Sequence, residues 1–490
     1  MGVASRRMYK LTRKGGPRMN YTQSNRNIQR KDSNPAQCIL HIPALLPGFT
    51  NTQTLPCTTR SHRDAYCLYG NIEVQESDTV CPSCGGRMHV NNHRGVDLRH
   101  LSIGPALTSL RFDRKQFYCP HCHISKMQEV LFQAQGHRIT LPLYNYTRDL
   151  LSKGTYTLKQ VAEITGLGKN VVKEIDKKRL QELYTVDGKT LIQPEKPARF
   201  LGIDEFKLHD GYRFATHIID METGHILWIA HGKKKKVVYD FIDHVGMEWM
   251  GSVEAVACDM NSDFQEAFEE RCPHIQPVFD YFHIVKNFNE KVVSAIRKDE
   301  QERLAKEGNE AAAKALKRTR YILTSKRSTL QVKDKEAREG KVIRKGSSLF
   351  GTEDIKRKEG YEAKYDELLR ENKLLFTVDL IKEKLSEAYC AEEETVMAEC
   401  IIDIMDVCKA TGNSHLEWFR RLLDKHFEGI IAHATYRNLS TGKIEGINNK
   451  IKTLRRQGYG YPDDEYFFLK LFDISRREYV RNELSHKICD

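Results

Sequence analysis

Between Ala198 and Val285 the apolar residues fall in short runs that stop at acidic side chains. Phe200 to Ile203 ends at Asp204, Val253 to Cys258 at Asp259, and Gln276 to Phe279 at Asp280. Apolar runs of that length, bounded by polar residues, predict buried strands. Tyr212 to Ile219 and Ile226 to His231 predict two more, separated by the turn residues Asp220, Glu222, Thr223 and Gly224. Val238, Phe241, Ile242, Val245 and Trp249 recur at helical spacing, and a second helix is predicted from about Asp263 to Glu270. From residue 290 to about 435 the pattern turns to long charged helices (Gln301 to Arg320, Lys356 to Leu375, Glu393 to Lys409), within which Ser325 to Lys345 reads as a basic loop.

The order strand, strand, strand, helix, strand, helix, strand, helix belongs to the α/β class and is the layout of a ribonuclease-H-like core with a helical insertion. Two further patterns precede it. In Thr157 to Lys178, Ala162 stands four residues before Gly166, and Val161, Ile164, Leu167, Val172 and Ile175 are spaced to close a small core. This predicts a helix-turn-helix whose second helix, about Lys169 to Lys178, would present Lys169, Asn170 and Lys173 to a major groove. Such a pattern also occurs in helical proteins with no nucleic acid partner.

Before it stand two knuckles, Cys81-Pro-Ser-Cys84 and Cys119-Pro-His-Cys122, separated by a stretch that reads as short strands, Leu98 to Ile103 and Ser109 to Tyr118. Four thiolates on two tight turns form the tetrahedral sulfur set that structural Zn²⁺ prefers. Cys38, Cys57 and Cys67 with His62 make a weaker candidate for a second site, against the simpler reading of ordinary thiols. Thirteen cysteines without an apolar leader at the N-terminus point to thiols and metal ligands rather than disulfides.

Charge changes the picture next. Lysine plus arginine number 78 against 66 acidic residues, a formal charge of +12. That excess favours a polyanion partner without choosing between DNA and RNA. Residues 1–36 are basic and poor in apolar side chains, which reads as a disordered arm. Hydrophobic residues at 40% and charged residues at 29% permit a sizeable core, and no run of about 18 apolar residues predicts a membrane span.

Cleaving and joining phosphodiesters requires divalent ions held by hard oxygen ligands, which suits carboxylates and Mg²⁺ or Mn²⁺. Asp204 and Asp259, at the tips of neighbouring strands, are the first candidates. Strand alternation turns Glu205 to the opposite face, and Asp263 is expected to begin a helix. Far downstream, Ile444, Ile447, Ile451 and Leu454 form one helical stripe and Glu445, Asn448, Asn449, Lys452 and Arg455 the opposite one, followed by Arg456. A glutamate sharing a stripe with amides and cations could meet metal and DNA phosphate together, although an ordinary amphipathic surface helix has the same pattern.

The knuckles, the Val161 to Ile175 motif, Gly202-Ile-Asp204-Glu205, Asp259-Met-Asn, Asp280-Tyr-Phe-His283 and Glu445-Gly-Ile-Asn448-Asn449-Lys-Ile-Lys452 stand in an order that resembles the ISL3 family of DDE transposases, over nearly all of residues 78–480. The resemblance implies that Asp204, Asp259 and Glu445 are a catalytic, metal-binding triad, with Asp280 and His283 close by. It further implies double-stranded DNA as partner, namely element ends and target, and a homodimer on paired ends in a nucleoid-associated, cytoplasmic setting.

The expected domains are a basic arm (1–36), a zinc-ribbon-like domain (37–140), a helix-turn-helix domain (141–195), the core (196–289 and 436–490) and the insertion (290–435). A DNA-binding regulator, or a nuclease that cuts without joining, are the competing functions.

Overall fold

The structure, a computed structural model, describes residues 46–477 apart from 60–63, 210, 212, 261, 346–352, 438, 440, 441, 459 and 460. The arm of residues 1–36, Cys38 and His62 lie outside the described residues. The chain divides into two compact units, Met1–Thr190 and Leu191–Asp490.

In the first unit β1 (Phe49–Thr58) and β2 (Asp64–Ile72) pair antiparallel. β3 (His89–Ile103) and β4 (Ala106–Tyr118) form a long hairpin, β4 also runs parallel to β2, and β5 (Ser125–Met127) joins its outer end. The hairpin is longer than the sequence pattern predicts. Residues 89–95 are exposed on both faces, so that half of β3 is held by its backbone ladder and carries no apolar alternation. Phe49, Phe112 and Phe132 meet edge to face with centroids 5.8–6.1 Å apart under the sheet, each ring contributing about 2–3 kcal/mol by burial.

Three helices complete this unit: α1 (Leu141–Ser152), α2 (Leu158–Thr165) and α3 (Lys169–Tyr184). Thr157 and Gln160 cap α2 reciprocally. Gly166 ends it at φ +67°, and a Cβ there would lie 2.5 Å from Arg99 Nη2 and 2.7 Å from Leu107 Cδ2. Both the left-handed turn and the close hairpin therefore require glycine. Val161, Val172 and Ile175 are fully buried against Leu143, Leu150 and Leu151 of α1. Ile164, expected in this core, is 42% exposed. The inward stripe runs through residues 158, 161 and 165, and Thr165 goes inside because its hydroxyl donates to the Val161 carbonyl at 2.7 Å.

The second unit is built on a sheet of order β10-β9-β6-β7-β8, with β6 (Phe200–Lys207), β7 (Phe214–Asp220) and β8 (Ile226–His231) as antiparallel neighbours. After α4 (Lys235–Val245), β9 (Ala255–Cys258) returns parallel to β6; after α5 (Ser262–Arg271), β10 (Gln276–Phe279) lies parallel to β9. Val238, Phe241 and Ile242 of α4 and Phe264 and Phe268 of α5 pack in one core with Leu201, Ile203 and Val256. α6 (Tyr281–Asn287) continues through a π-helical turn, Phe288–Val293, into α7 (Ser294–Lys306).

α7 opens a helical block comprising α8 (Glu310–Leu316), α9 (Arg327–Arg338), α10 (Tyr361–Glu371), α11 (Lys373–Ala388), α12 (Glu394–Ala410) and α13 (Ser414–Lys425). Its core is continuous with that of the sheet. α9 corrects the loop expected over Ser325 to Lys345. It buries Leu330 fully, and its Asp334 accepts the Tyr361 and Glu362 amides at 2.9 Å each. The helix is anchored largely by capping its neighbour, so no apolar stripe marks it.

A short helix, Phe427–Ile431, then packs on β10, where a Cβ on Gly429 would fall 2.3 Å from the Phe279 ring. α14 (Gly442–Gln457) and α15 (Asp464–Ser475) cover the face of the sheet opposite α4 and α5. No described helix is long and apolar enough to cross a membrane.

Candidate active site and metal centres

In the first unit the hairpin decides where the knuckles go. His89 of β3 pairs with Tyr118 of β4, so Cys81 and Cys84 just before β3 meet Cys119 and Cys122 just after β4 at its open end. Each knuckle closes on its own backbone: Gly85 N–H donates to the Cys81 carbonyl at 2.9 Å and His123 N–H to the Cys119 carbonyl at 3.0 Å. Gly85 and His123 both take positive φ there, +69° and +57°.

The four sulfur atoms lie within 4.8 Å of one another, with Cys84 and Cys119 3.7 Å apart. Tetrahedral Zn–S bonds of about 2.3 Å imply S···S separations of about 3.8 Å, so the donor set fits zinc. The Cys84 and Ser83 amides hold the Cys81 thiol down to about 7, while its sulfur neighbours, Cys84 first, push Cys122 up to about 12. Crowding four thiols makes the last one hard to ionise, a cost a dication would remove. Cys57 and Cys67 stand 3.2 Å apart across β1 and β2, both buried. Among the described residues no third metal-ligand side chain joins them.

In the second unit register decides the geometry. β6 and β9 pair in parallel, Gly202 with Ala257 and Ile203 with Cys258. β9 and β10 pair likewise, Cys258 with Phe279. One residue further on, Asp204, Asp259 and Asp280 follow in line across three adjacent strands, about 4.8 Å per strand. Asp259 and Asp280 directly follow the ends of β9 and β10, whereas β6, expected to stop at Asp204, runs on to Lys207 in its pairing with β7. His283, on α6, reaches back to place Nδ1 3.1 Å from Asp259 Oδ1. Asp280 caps α6, accepting the Phe282 amide at 3.1 Å.

The Asp204 carboxyl is raised above its ordinary value by burial, against opposing bonds from Asn448 and the Glu205 amide. Burial would raise Asp259 too, but the hydrogen bond and charge of His283 reverse the sign and hold it low. His283 in turn is raised: Asp259 outweighs the burial that would lower it. Glu205 points to the other face, 3.8 Å from Lys233, and Asp263 lies in the first turn of α5, 3.2 Å from Lys234.

α14 runs along β6. Its start is fixed by Lys443 Nζ, which donates to the Met221 and Glu222 carbonyls at 2.6 and 2.8 Å, and its end by Arg455 Nη1, which donates to the Lys207 carbonyl at 2.5 Å. Gly202 makes room between: a Cβ there would meet Ile444 Cδ1 at 3.0 Å and Met221 Sδ at 2.5 Å. Asn448 consequently lies on Asp204, donating from Nδ2 to Oδ2 at 2.6 Å.

Of the side chains assigned to DNA from sequence, Asn448 and Arg455 are thus engaged within the protein. Asn449, Lys452 and Arg456 are exposed, as are Lys169 and Asn170 on α3, while Lys173 is half-buried. Glu445, one turn before Asn448, is exposed, and among the described residues the three carboxylates do not form one tight cluster.

The sequence reading missed two neighbours of the site. Asn448 as the partner of Asp204 was detectable only as a shared stripe with Glu445. His217, directly across from Asp204 on β7, is fully buried with neither ring nitrogen hydrogen-bonded, and burial pushes it down to about 4. Nothing in the sequence marks it. Two half-buried aspartates in line, oriented by an amide and an imidazole, offer hard oxygen donors that fit a divalent cation.

Comparison with known proteins gives matches to two family models, to curated relatives and to a solved structure. A family model of ISL3-type DDE enzymes, described as transposase, matches residues 201–471. A second, described as the zinc-finger of transposase IS204/IS1001/IS1096/IS1165, matches residues 77–122. The transposase for insertion sequence element IS1001 of Bordetella parapertussis is 26% identical over 396 residues, 80% of this chain and 87% of that protein. The transposase for IS1557 of Mycobacterium tuberculosis is 26% identical over 268 residues, 54% of this chain and 57% of that one. A Drosophila P element transposase strand transfer complex aligns over 70% of this chain and 94% of that one at 10% identity, with a TM-score of 0.35.

Proposed function

This chain belongs to the ISL3 family of DDE transposases, and from that membership we propose that it binds the inverted-repeat ends of its own element and catalyses their cleavage and strand transfer. The observation that carries the reading is the in-register placement of Asp204 and Asp259 on one sheet face, with α14 laid across it. The element order and sheet topology of the second unit support a ribonuclease-H-like core at 196–289 and 436–490, interrupted by the insertion at 290–435. The first unit supports a zinc ribbon within 37–140 and a helix-turn-helix within 141–195.

Asp204, Asp259 and Glu445 are the proposed ligands of two Mg²⁺ or Mn²⁺ ions. Bound there, such ions supply Lewis acidity at the scissile phosphate and favour deprotonation of the attacking water or 3′-hydroxyl. The chain's own work is orientation. Asn448 and the Glu205 amide fix the two Asp204 oxygens, His283 fixes Asp259, and Asp280 fixes the helix that carries His283. Glu445 must close on the aspartates, a step assigned to binding of DNA and ions.

End recognition falls to Lys169, Asn170 and Lys173, with Asn449, Lys452 and Arg456 tracking phosphates beside the carboxylates. A homodimer on paired ends and a nucleoid-associated, cytoplasmic setting complete the proposal.

The test is incubation of the full chain with duplexes taken from the two flanks of its gene, in Mg²⁺, with cut and joined products resolved. Asp204→Asn, Asp259→Asn and Glu445→Gln should each abolish both products and leave end binding intact. Cutting without joining would leave only a nuclease, and binding without either product only a regulator.

A further inference from the structure

An exposed aromatic side chain directly precedes His283, the residue that holds Asp259. Phe282 is 61% exposed, although it stands between Asp280, which caps its helix, and His283, which holds Asp259. Its amide is held by Asp280 at 3.1 Å. Its ring stands edge-on to that of His283, with centroids 5.5 Å apart and planes at 87°, and His283 itself holds Asp259. Other large apolar side chains left in solvent, such as Val332, Ile343 and Phe376, lie on the insertion and away from any carboxylate of the site in sequence.

One helical turn after Phe282, Lys286 is also exposed, and its charge reaches Asp259. Residues four apart share a helix face at about 5–6 Å between Cβ atoms. Phe282 and Lys286 thus present a π-face and a cation side by side. That pairing suits a nucleotide: the ring takes a base face and the ammonium takes a phosphate. Inside a duplex the base faces are covered by stacking, so a ring beside the site can meet only a base that has left the stack.

We propose that Phe282 and Lys286 form a nucleotide-holding step, in which the Phe282 ring stacks on a base swung out beside the scissile phosphate and Lys286 takes a neighbouring phosphate. The proposal rests on the transposase chemistry assigned above and adds to it the form in which the DNA end is held. Stacking on a ring face is tolerant of base identity, so the step favours a distorted end over a particular base.

The experiment uses the full chain with end duplexes from the flanks of its gene. Unstacked thymines are read by permanganate in Ca²⁺ and cleavage rates in Mg²⁺. In the wild type, a thymine at the cleavage site becomes reactive. Phe282→Ala should lose that signal and cut paired ends about tenfold more slowly or worse, while Phe282→Trp keeps both. The deficit of Phe282→Ala should vanish on duplexes with an abasic residue at the swung-out position, where no base is left to hold. Lys286→Ala should weaken end binding and lower its salt slope by about one.

Wild-type cutting by Phe282→Ala on paired ends overturns the proposal, as does an equal deficit on abasic duplexes, which would leave the ring a merely structural role. Those results leave the assigned chemistry intact provided Asp204→Asn is inactive. A wild type that cuts no end overturns the assigned chemistry and this step with it.

Discussion

Replacing Gly202 with alanine should separate the position of α14 from the stability of the fold. The added methyl would sit 3.0 Å from Ile219 Cγ1, 3.0 Å from Ile444 Cδ1 and 2.5 Å from Met221 Sδ. Carbon atoms prefer about 3.5–4.0 Å. Met221 can swing its thioether away, and Ile219 is fixed within the same sheet. Ile444 must therefore give by roughly 0.5–1 Å, drawing α14 outward with it.

Overpacking of this size costs about 1–3 kcal/mol, visible as a fall of a few degrees in melting temperature. The larger effect is on geometry. Asn448 is bonded to Asp204 at 2.6 Å from the same helix, and a displacement near 1 Å at a reacting centre lowers rates by about 100-fold. Single-turnover cleavage of end duplexes should fall by about that factor, while end binding stays unchanged. Ile444→Val removes the atom in the way, so the double variant should recover at least a tenth of the wild-type rate. Wild-type cleavage by Gly202→Ala would refute the reasoning. Recovery of melting temperature without recovery of rate in the double variant would refute it too.

Purified chain should contain about one zinc per molecule, lost in Cys84→Ser together with protease resistance of the first unit; zinc-free protein with four reduced thiols would exclude the site. Asn170→Ala should relax preference for the element ends, whereas Lys169→Ala should weaken binding to every duplex and reduce the salt slope by about one; titrations against end and scrambled DNA decide this. His100 is buried, its Nδ1 2.8 Å from Thr140 Oγ1, and burial pushes it down to about 4. Unfolded, it titrates near 6.5, so protonation favours the unfolded chain and stability is lost as pH falls from about 6.5 toward 4. Between about pH 7 and pH 5 this amounts to about 2 kcal/mol, which His100→Gln should remove from the pH dependence of unfolding of the first unit.

Much of the second unit was legible because its strands are short apolar runs stopped by carboxylates. The predicted limits of β8 and β10 coincide with the observed ones, and Asp259 follows a strand end as expected, whereas β6 runs on past Asp204 to Lys207 because its ladder with β7 continues. What the pattern could not carry was partnership. A helical stripe says that Glu445, Asn448 and Arg455 share a face, but not that two of the three are spent on Asp204 and the Lys207 carbonyl. The same limit explains Ile164: spacing allows it inside, and the Thr165 hydroxyl, satisfied by the Val161 carbonyl, takes the place. α9 and the outer half of β3 were unreadable for a different reason. Backbone bonds and a cap hold them, leaving little hydrophobic period to detect.

The hydrogen bonds around the aspartates also bear on why Glu445 can stand apart while the other two are set. Asp204 accepts the Glu205 amide on Oδ1 and Asn448 on Oδ2. Asp259 accepts the Met260 amide at 2.7 Å and faces His283 on the same oxygen, Oδ1. A carboxylate oxygen has two lone-pair sites, so these bonds orient both groups without exhausting them, and both of those to Asp259 fall on Oδ1. A pair of desolvated aspartates held this way prefers a cation to a third carboxylate, because like charges brought together in a half-buried site repel strongly. In the proposed mechanism Glu445 should therefore join only once cations have neutralised the pair. Ile444 of the same helix is seated against Gly202, so in that mechanism the movement asked of Glu445 is that of one side chain and its turn.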